Sequence, residues 1–397
     1  MSKRTRAAAG RGSVFPWRKK DAETGDLKDV GWVGVADLGV VDGKRRRLTL
    51  YGKSKRDVSD RLNETLRDHQ RGVLPKGGKL TVEQWLTSWM RSIESSVRAR
   101  TLEHYSGIVR LHLVPAIGKR PLGKLSPTDV EAMLSAQVKG GMSPRSAHHV
   151  RAVLRNALKG AERDGLVSRN VASLARPPRM VKEEMKTLAP DQVDAFLEAL
   201  NGDRLAAMYV VTLGLGLRQG EVLGLRWSDI DLDAGALKVT HSLQWIRPAG
   251  ERQAAPHLVE PKSEESRRSL RLPKSVTAAL RDHRARWRDE KLAHGERWLN
   301  EWDLVFVGPS GEPLNPRTVW SDFRRKLAAA QLPAIRFHDL RHSAASLLGA
   351  KHVPARVVQK ILGHSSISLT LQTYSHVFAE QHDEAAAIMD DILGGRG

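Results

Sequence analysis

No cysteine occurs anywhere in this chain of 397 residues. That absence removes a disulfide framework, a thiolate nucleophile and any Cys-based zinc site. Long apolar runs are missing as well. The longest, residues 205–217, is too short to span a bilayer, and the basic N-terminus has no apolar stretch behind it. Tyrosine is scarce, with four copies, and no internal repeat or low-complexity tract is present. Acidic residues are in deficit: Lys plus Arg exceed Asp plus Glu by 20. Such an excess biases a protein toward a polyanion, nucleic acid above all, although a basic ribosomal or chromatin protein would share it. The composition implies a cytoplasmic, nucleoid-associated protein whose 40% apolar content suffices for real cores.

Three compositional units follow one another. Residues 1–72 alternate basic clusters with short strand-like runs at 13–17, 32–37 and 46–51, and Asp42-Gly43 is a hairpin signal. A helix is expected over 54–69, with Val58, Leu62 and Leu66 on one face. The expectation is a small α+β domain of three strands and a helix. Its basic residues Arg18, Lys19, Lys20, Lys44, Arg45, Arg46 and Arg47 gather at strand ends and turns, and a β-ribbon of this kind can enter a major groove. Residues 80–178 read as all helical. Thr81 caps a helix whose stripe is Trp85, Leu86, Trp89, Met90 and Ile93. Further helices are expected over 101–113, 126–137 and 143–164, the last two opening on Ser-Pro pairs. The fourth aligns Arg145, His148, Arg151, Arg155 and Lys159 along one side. A linker stiffened by Pro177-Pro178 leads to residues 187–397, a mixed, mainly helical unit with small antiparallel hairpins. Strand patterns cover 237–246 and 258–272, and 305–314 turns through Gly308 and Gly311.

Six residues of this last unit can carry one chemistry: Arg218, Lys262, His338, Arg341, His364 and Tyr374. Arg218 follows the apolar run 205–217, well placed to fork onto an oxyanion, and Glu221 can hold its guanidinium or a neighbouring histidine. An Arg–Glu pair at helical spacing that serves only the domain is the plainer reading. His338 and Arg341, three apart, share a helix face and can grip two oxygens of one phosphate. His338 and His342 have the spacing of a zinc-binding helix, but the match is weak. Asp339 is shorter than the usual glutamate base, and Arg341 would repel a dication. Gly363 can end a helix just before His364. Lys262 lies between a strand-like run at 256–261 and a return strand in which Arg268, Leu270 and Leu272 alternate. A phenol such as that of Tyr374, with an ordinary pKa of about 10, needs cationic neighbours or a base to act as nucleophile.

The settings of these residues (Gly-Leu-Arg218-Gln-Gly-Glu221, Pro261-Lys262-Ser, His338-Asp-Leu-Arg341-His342, Leu-Gly-His364, Thr373-Tyr374) resemble those of the tyrosine recombinase, or phage integrase, family in order and spacing. The resemblance implies an arm-binding domain over 1–72, a core-binding domain over 80–178 and a catalytic domain over 187–397. It implies Tyr374 as nucleophile, Lys262 as general acid, and Arg218, His338, Arg341 and His364 as the clamp on the scissile phosphate. It further implies a 3′-phosphotyrosyl intermediate formed without metal or nucleotide cofactor. The expected partners are double-stranded DNA at core and arm attachment sites, a homotetramer on that DNA, and accessory bending or directionality proteins. Residues 375–393 combine an apolar stripe with acidic residues, which suits a C-terminal docking helix on a neighbouring subunit. A non-catalytic DNA-binding regulator, a type IB topoisomerase-like enzyme and a zinc peptidase are the rivals. The intact six-residue set argues against the first, the ribbon-like N-terminal unit against the second.

Overall fold

A computed structural model describes residues 12–20, 26–41, 44–70, 80–180, 186–247, 251–261, 266–364, 366–368, 371 and 389–394. The chain divides into two compact units, Met1–Val181 and Lys182–Gly397. Among the described residues no helix is long and apolar enough to cross a membrane.

The first unit opens with an antiparallel sheet in the order β1-β2-β3, built from β1 (Ser13–Lys20), β2 (Leu27–Val41) and β3 (Lys44–Gly52). Val41 pairs with Lys44, and Asp42-Gly43, read as a hairpin signal, lies outside the described residues. Helix α1 (Lys55–Gln70) follows, and buries Val58 and Leu62. Both are four apart and face Gly34 of β2, where a methyl group would meet Val58 at 2.8 Å. The glycine lets helix and sheet close.

Six helices come next: α2 (Val82–Ile93), α3 (Ala99–Ile108), α4 (Val114–Ile117), α5 (Pro127–Lys139), α6 (Pro144–Arg163) and α7 (Val171–Leu174). Thr81 and Gln84 form the capping box of α2, and Ser126 and Ser143 cap α5 and α6 with proline at the first helical position. Trp85, Leu86 and Trp89 enter the core as their spacing requires, and the Trp85 indole donates to the Ala157 carbonyl of α6 at 3.0 Å. The helix expected over 101–113 is interrupted. Residues Val109–Leu113 form a π turn ahead of Pro115, which has no N–H to donate, and Gln137 donates to the His112 carbonyl at 3.0 Å.

The second unit is built around α9 (Ala206–Leu215), which is apolar on every side and packs against α11 (Lys274–His294) and α13 (Phe337–Ala350). Its Tyr209 ring joins Phe196 of α8 (Pro190–Ala199), Phe323 of α12 (Pro316–Ala329) and Phe337. Short elements surround this core: α10 (Gln219–Leu223), α14 (Ala355–Leu362), a sheet ordered β4-β5-β8 from β4 (Ile230–Asp231), β5 (Ala236–Val239) and β8 (Arg268–Arg271), and a two-stranded sheet of β6 (Ser242–Ile246) and β7 (Ala255–Val259). The strand expected over 237–246 is two strands, β5 (Ala236–Val239) and β6 (Ser242–Ile246). The break lies at Thr240, whose hydroxyl donates to Asp229 at 2.8 Å. The return strand β8 (Arg268–Arg271) likewise does not pair with β7 (Ala255–Val259). It joins β5, where Leu270 faces Leu237 and both are buried.

Gly216 ends α9 in the left-handed region at φ 60°. A methyl group there would lie 2.5 Å from Leu362 of α14, while the Gly216 carbonyl accepts from Arg341 at 2.7 Å. Gly216→Ala is therefore expected to lower stability by about 1–3 kcal/mol through backbone strain and overpacking. Chemical denaturation checks this, and an unchanged midpoint would contradict it.

Candidate active site

Helix α14 ends in a Schellman turn. Gly363 takes the left-handed conformation at φ 64°, its N–H reaches Lys360 O, and His364 N–H reaches Gln359 O, both at 3.2 Å. This closure leaves the next three carbonyls, of Ile361, Leu362 and Gly363, without helical partners. Three guanidiniums take them. Arg268 Nε donates to Ile361 O at 2.7 Å, Arg341 Nη2 to Leu362 O at 2.6 Å and Arg218 Nη2 to Gly363 O at 3.1 Å. Cations also suit this end of the helix dipole. His364 is the next residue, and it is buried.

Glu221 organises two of the three cations. It caps α10 by accepting from Arg218 N–H at 3.0 Å, pairs with Arg218 Nη1 at 2.6 Å and with Arg268 Nη2 at 3.0 Å. Its exposure is 6%. Burial alone would raise its pKa, but Arg268 and then Arg218 hold the carboxyl below its ordinary range. The plainer reading of Arg218 and Glu221 as an ion pair at helical spacing thus describes a real contact, and the pair also reaches α14.

The structure brings Arg218, Arg341 and His364 together, with His338 near enough to feel both arginines. His338 and Arg341, both on α13, differ in exposure. His338 is exposed, whereas Arg341 is buried to 1% exposure, with Nη1 on Gly216 O and Nη2 on Leu362 O. The reason is that α13 turns Arg341 toward α9 and α14, so its terminal nitrogens meet carbonyls rather than water. The His338 and His342 rings stand edge to face at 4.9 Å. Among the described residues no group of three His, Asp or Glu side chains could hold a metal ion. Lys262 and Tyr374 lie outside the described residues.

Arg268 is the site residue that sequence reasoning missed as a functional group. The pattern puts it on a return strand in alternation with Leu270, and an inward-facing charge in that register is the available signal. The basic residues read as DNA contacts divide. Arg18 pairs with Asp29 at 2.8 Å, Lys19 lies over the Trp17 ring, and Arg47 is exposed. The side chains of Lys20, Lys44, Arg45 and Arg46 lie outside the described residues. On α6, Arg145, Arg155 and Lys159 are exposed. His148 instead contacts Pro178 O at 2.8 Å and Arg151 donates to Ser173 O at 3.0 Å, which ties α7 and the chain after it back to α6.

The histidines are held neutral. Desolvation, then His342, Arg341 and Arg218, push His338 down to about 4. Desolvation, then Arg341 and Arg218, push His364 down to about 3. Both values lie below the 6.5 of an ordinary histidine, so on acidification the unfolded chain takes up these protons first. Their influence on stability is level above about pH 6.5 and becomes destabilising as the pH falls toward 4. Ring signals in an NMR titration should stay constant for both residues from pH 8 down to about pH 5. A midpoint near the ordinary histidine value for either would refute this electrostatic picture.

Comparisons with known proteins bear on the family and the fold. The model of the phage integrase family matches residues 186–381, and that of the phage integrase N-terminal SAM-like domain matches 81–136. An integrase of Saccharopolyspora erythraea is 30% identical over 99% of both chains. An integrase of Streptomyces ambofaciens is 31% identical over 93% of this chain and 95% of its own. Among solved structures, the Tn1549 transposon integrase in complex with transposon right end DNA superposes with a TM-score of 0.67 at 22% identity. It covers 79% of this chain and all of its own (100%). A lambda integrase tetramer bound to a Holliday junction gives a TM-score of 0.54 at 18% identity, over 88% of this chain and 93% of its own.

Proposed function

The chain belongs to the phage integrase family of tyrosine recombinases, and we propose that Tyr374 is the nucleophile of its strand cleavage. It is a site-specific recombinase, an enzyme that cleaves and rejoins DNA through a tyrosine and moves a mobile element. In this reading Arg218, His338, Arg341 and His364 form the phosphate clamp, Glu221 supports it, and Lys262 is the general acid. The observation that carries the reading is the closure of α14. Guanidiniums from distant parts of the sequence hold the carbonyls directly before His364, ten residues ahead of Tyr374.

The Tyr374 hydroxyl passes its proton to a neutral histidine of the clamp and its oxygen attacks the scissile phosphorus. The P–O5′ bond breaks, Lys262 protonates the departing oxygen, and the products are a 3′-phosphotyrosyl enzyme and a free 5′ hydroxyl. Attack by a 5′ hydroxyl of a partner duplex reverses these events, and Tyr374 recovers a proton. The phosphoester is conserved throughout, so exchange needs no nucleotide hydrolysis. Charge that develops on the non-bridging oxygens is met by fixed cations rather than by reorganising water. Arg218, 37% exposed, is the arginine open to the phosphate, while Arg341 supplies its field from beneath the end of α14. Neutral His338 and His364 donate N–H bonds without adding charge to the free site.

The substrate is double-stranded DNA. The exposed Arg145, Arg155 and Lys159 of α6 suit the core-binding role of residues 80–178, and the basic ribbon of residues 1–72 suits arm sites. Met389, Ile392 and Leu393 are exposed in the described end of the tail, which supports docking on a neighbouring subunit of a DNA-bound homotetramer. Accessory bending or directionality proteins complete the assembly, which acts on DNA in the cytoplasm.

Tyr374→Phe is expected to abolish covalent protein–DNA complexes on a nicked suicide substrate. Its DNA affinity should stay within about twofold, because one hydroxyl is lost from a large electrostatic interface. Complexes that persist would identify a different nucleophile.

A further inference from the structure

Arg268 lies on β8 with its side chain 7% exposed, in a strand where the residue two along, Leu270, is core. A buried arginine is costly unless its donors are satisfied. All three of its side-chain nitrogens are engaged. Nε reaches Ile361 O at 2.7 Å, Nη2 reaches Glu221 at 3.0 Å, and Nη1 reaches Ser266 O at 3.2 Å. These acceptors belong to different parts of the site. Glu221 carries Arg218, Ile361 belongs to the helix end that presents His364, and Ser266 follows the segment that contains Lys262. A core counter-ion for Glu221 would need only the contact to that carboxylate. A phosphate ligand would need free, exposed donors, and Arg268 turns its donors inward.

We propose that Arg268 is a positioning residue for strand cleavage: its guanidinium fixes the Glu221 carboxylate, the α14 terminus and the Ser266 backbone relative to one another. Arg218 and His364 thereby approach one phosphate in a set geometry. The proposal rests on the assignment of Arg218 and His364 to the phosphate clamp. The planar fork is essential to it, because a single ammonium cannot span acceptors that lie in different directions. Lysine at this position would keep the buried charge and its pairing with Glu221 while releasing Ile361 O.

The test uses the full chain and a nicked duplex on which the unaltered protein forms the covalent complex. DNA affinity, the single-turnover rate of complex formation and the unfolding midpoint are measured for Arg268→Lys, Arg268→Met and Arg218→Lys. Arg268→Lys should bind DNA within about twofold of the unaltered chain. Its cleavage rate at saturating protein should fall by about ten- to a hundredfold, the effect of a clamp held in a looser geometry. Arg268→Met should be at least as slow and should also unfold more readily, since Glu221 loses a buried partner. Arg268→Lys cleaving at the unaltered rate while Arg218→Lys is slow would overturn the proposal alone. It would leave Arg268 with a merely structural role. Arg218→Lys cleaving at the unaltered rate would overturn the clamp assignment and the proposal together.

Discussion

A helix end carries carbonyl oxygens that its own backbone cannot satisfy, and in α14 the last of them are met by the guanidiniums of Arg268, Arg341 and Arg218. The rest of the site depends on this arrangement. Each arginine comes from a different element: strand β8, the early part of α13 and the loop after α9. The site therefore exists only when these elements have packed around α9. The turn at Gly363 then fixes the direction in which the chain leaves the helix, and with it the position of His364. Function is coupled to folding through hydrogen bonds to main-chain atoms, which a side-chain substitution in α14 cannot remove.

The same arrangement explains the electrostatics. Glu221 is surrounded by Arg218 and Arg268 and stays ionised despite burial. His338 and His364 respond in the opposite sense and stay neutral, because desolvation disfavours their charged forms and Arg341 and Arg218 oppose further positive charge. The free site thus limits its own repulsion while it keeps the permanent cations. In the proposed reaction an incoming phosphodiester supplies the missing anion. It lowers the cost of protonating the histidines and meets donors that need no reorganisation.

Much of this was legible in the sequence because local rules agreed with one another. The Ser-Pro starts of α5 and α6, the four-residue stripe of α2 and the glycine after α14 each depend on near neighbours. The small sheet with its helix, the helical segment after it and the mixed last unit followed from such signals. Features set by distant contacts were not legible. The pairing of β8 with β5 depends on Leu270 meeting Leu237, and the split at Thr240 depends on Asp229. Local spacing puts His338 and Arg341 on one face, but α9 and α14 decide which of the two reaches solvent. Arg268 reads as one residue in an alternating strand, since its partners lie 47 and 93 positions away. His148 and Arg151 read as a charged stripe, and only the path of the chain through and beyond α7 shows that they bind its carbonyls.

The central claim is that arginines and a tyrosine, rather than a metal centre, cleave the DNA strand. Its most direct test is to trap the covalent complex in the presence of excess chelator, digest it and identify the residue joined to DNA by mass spectrometry. Undiminished complex formation and a single linked peptide are expected, with the 3′ phosphate of DNA on Tyr374 and a free 5′ hydroxyl on the other fragment. Linkage through any other residue, a 5′-phosphate attachment, or complex formation that returns only when zinc or magnesium is restored would contradict it.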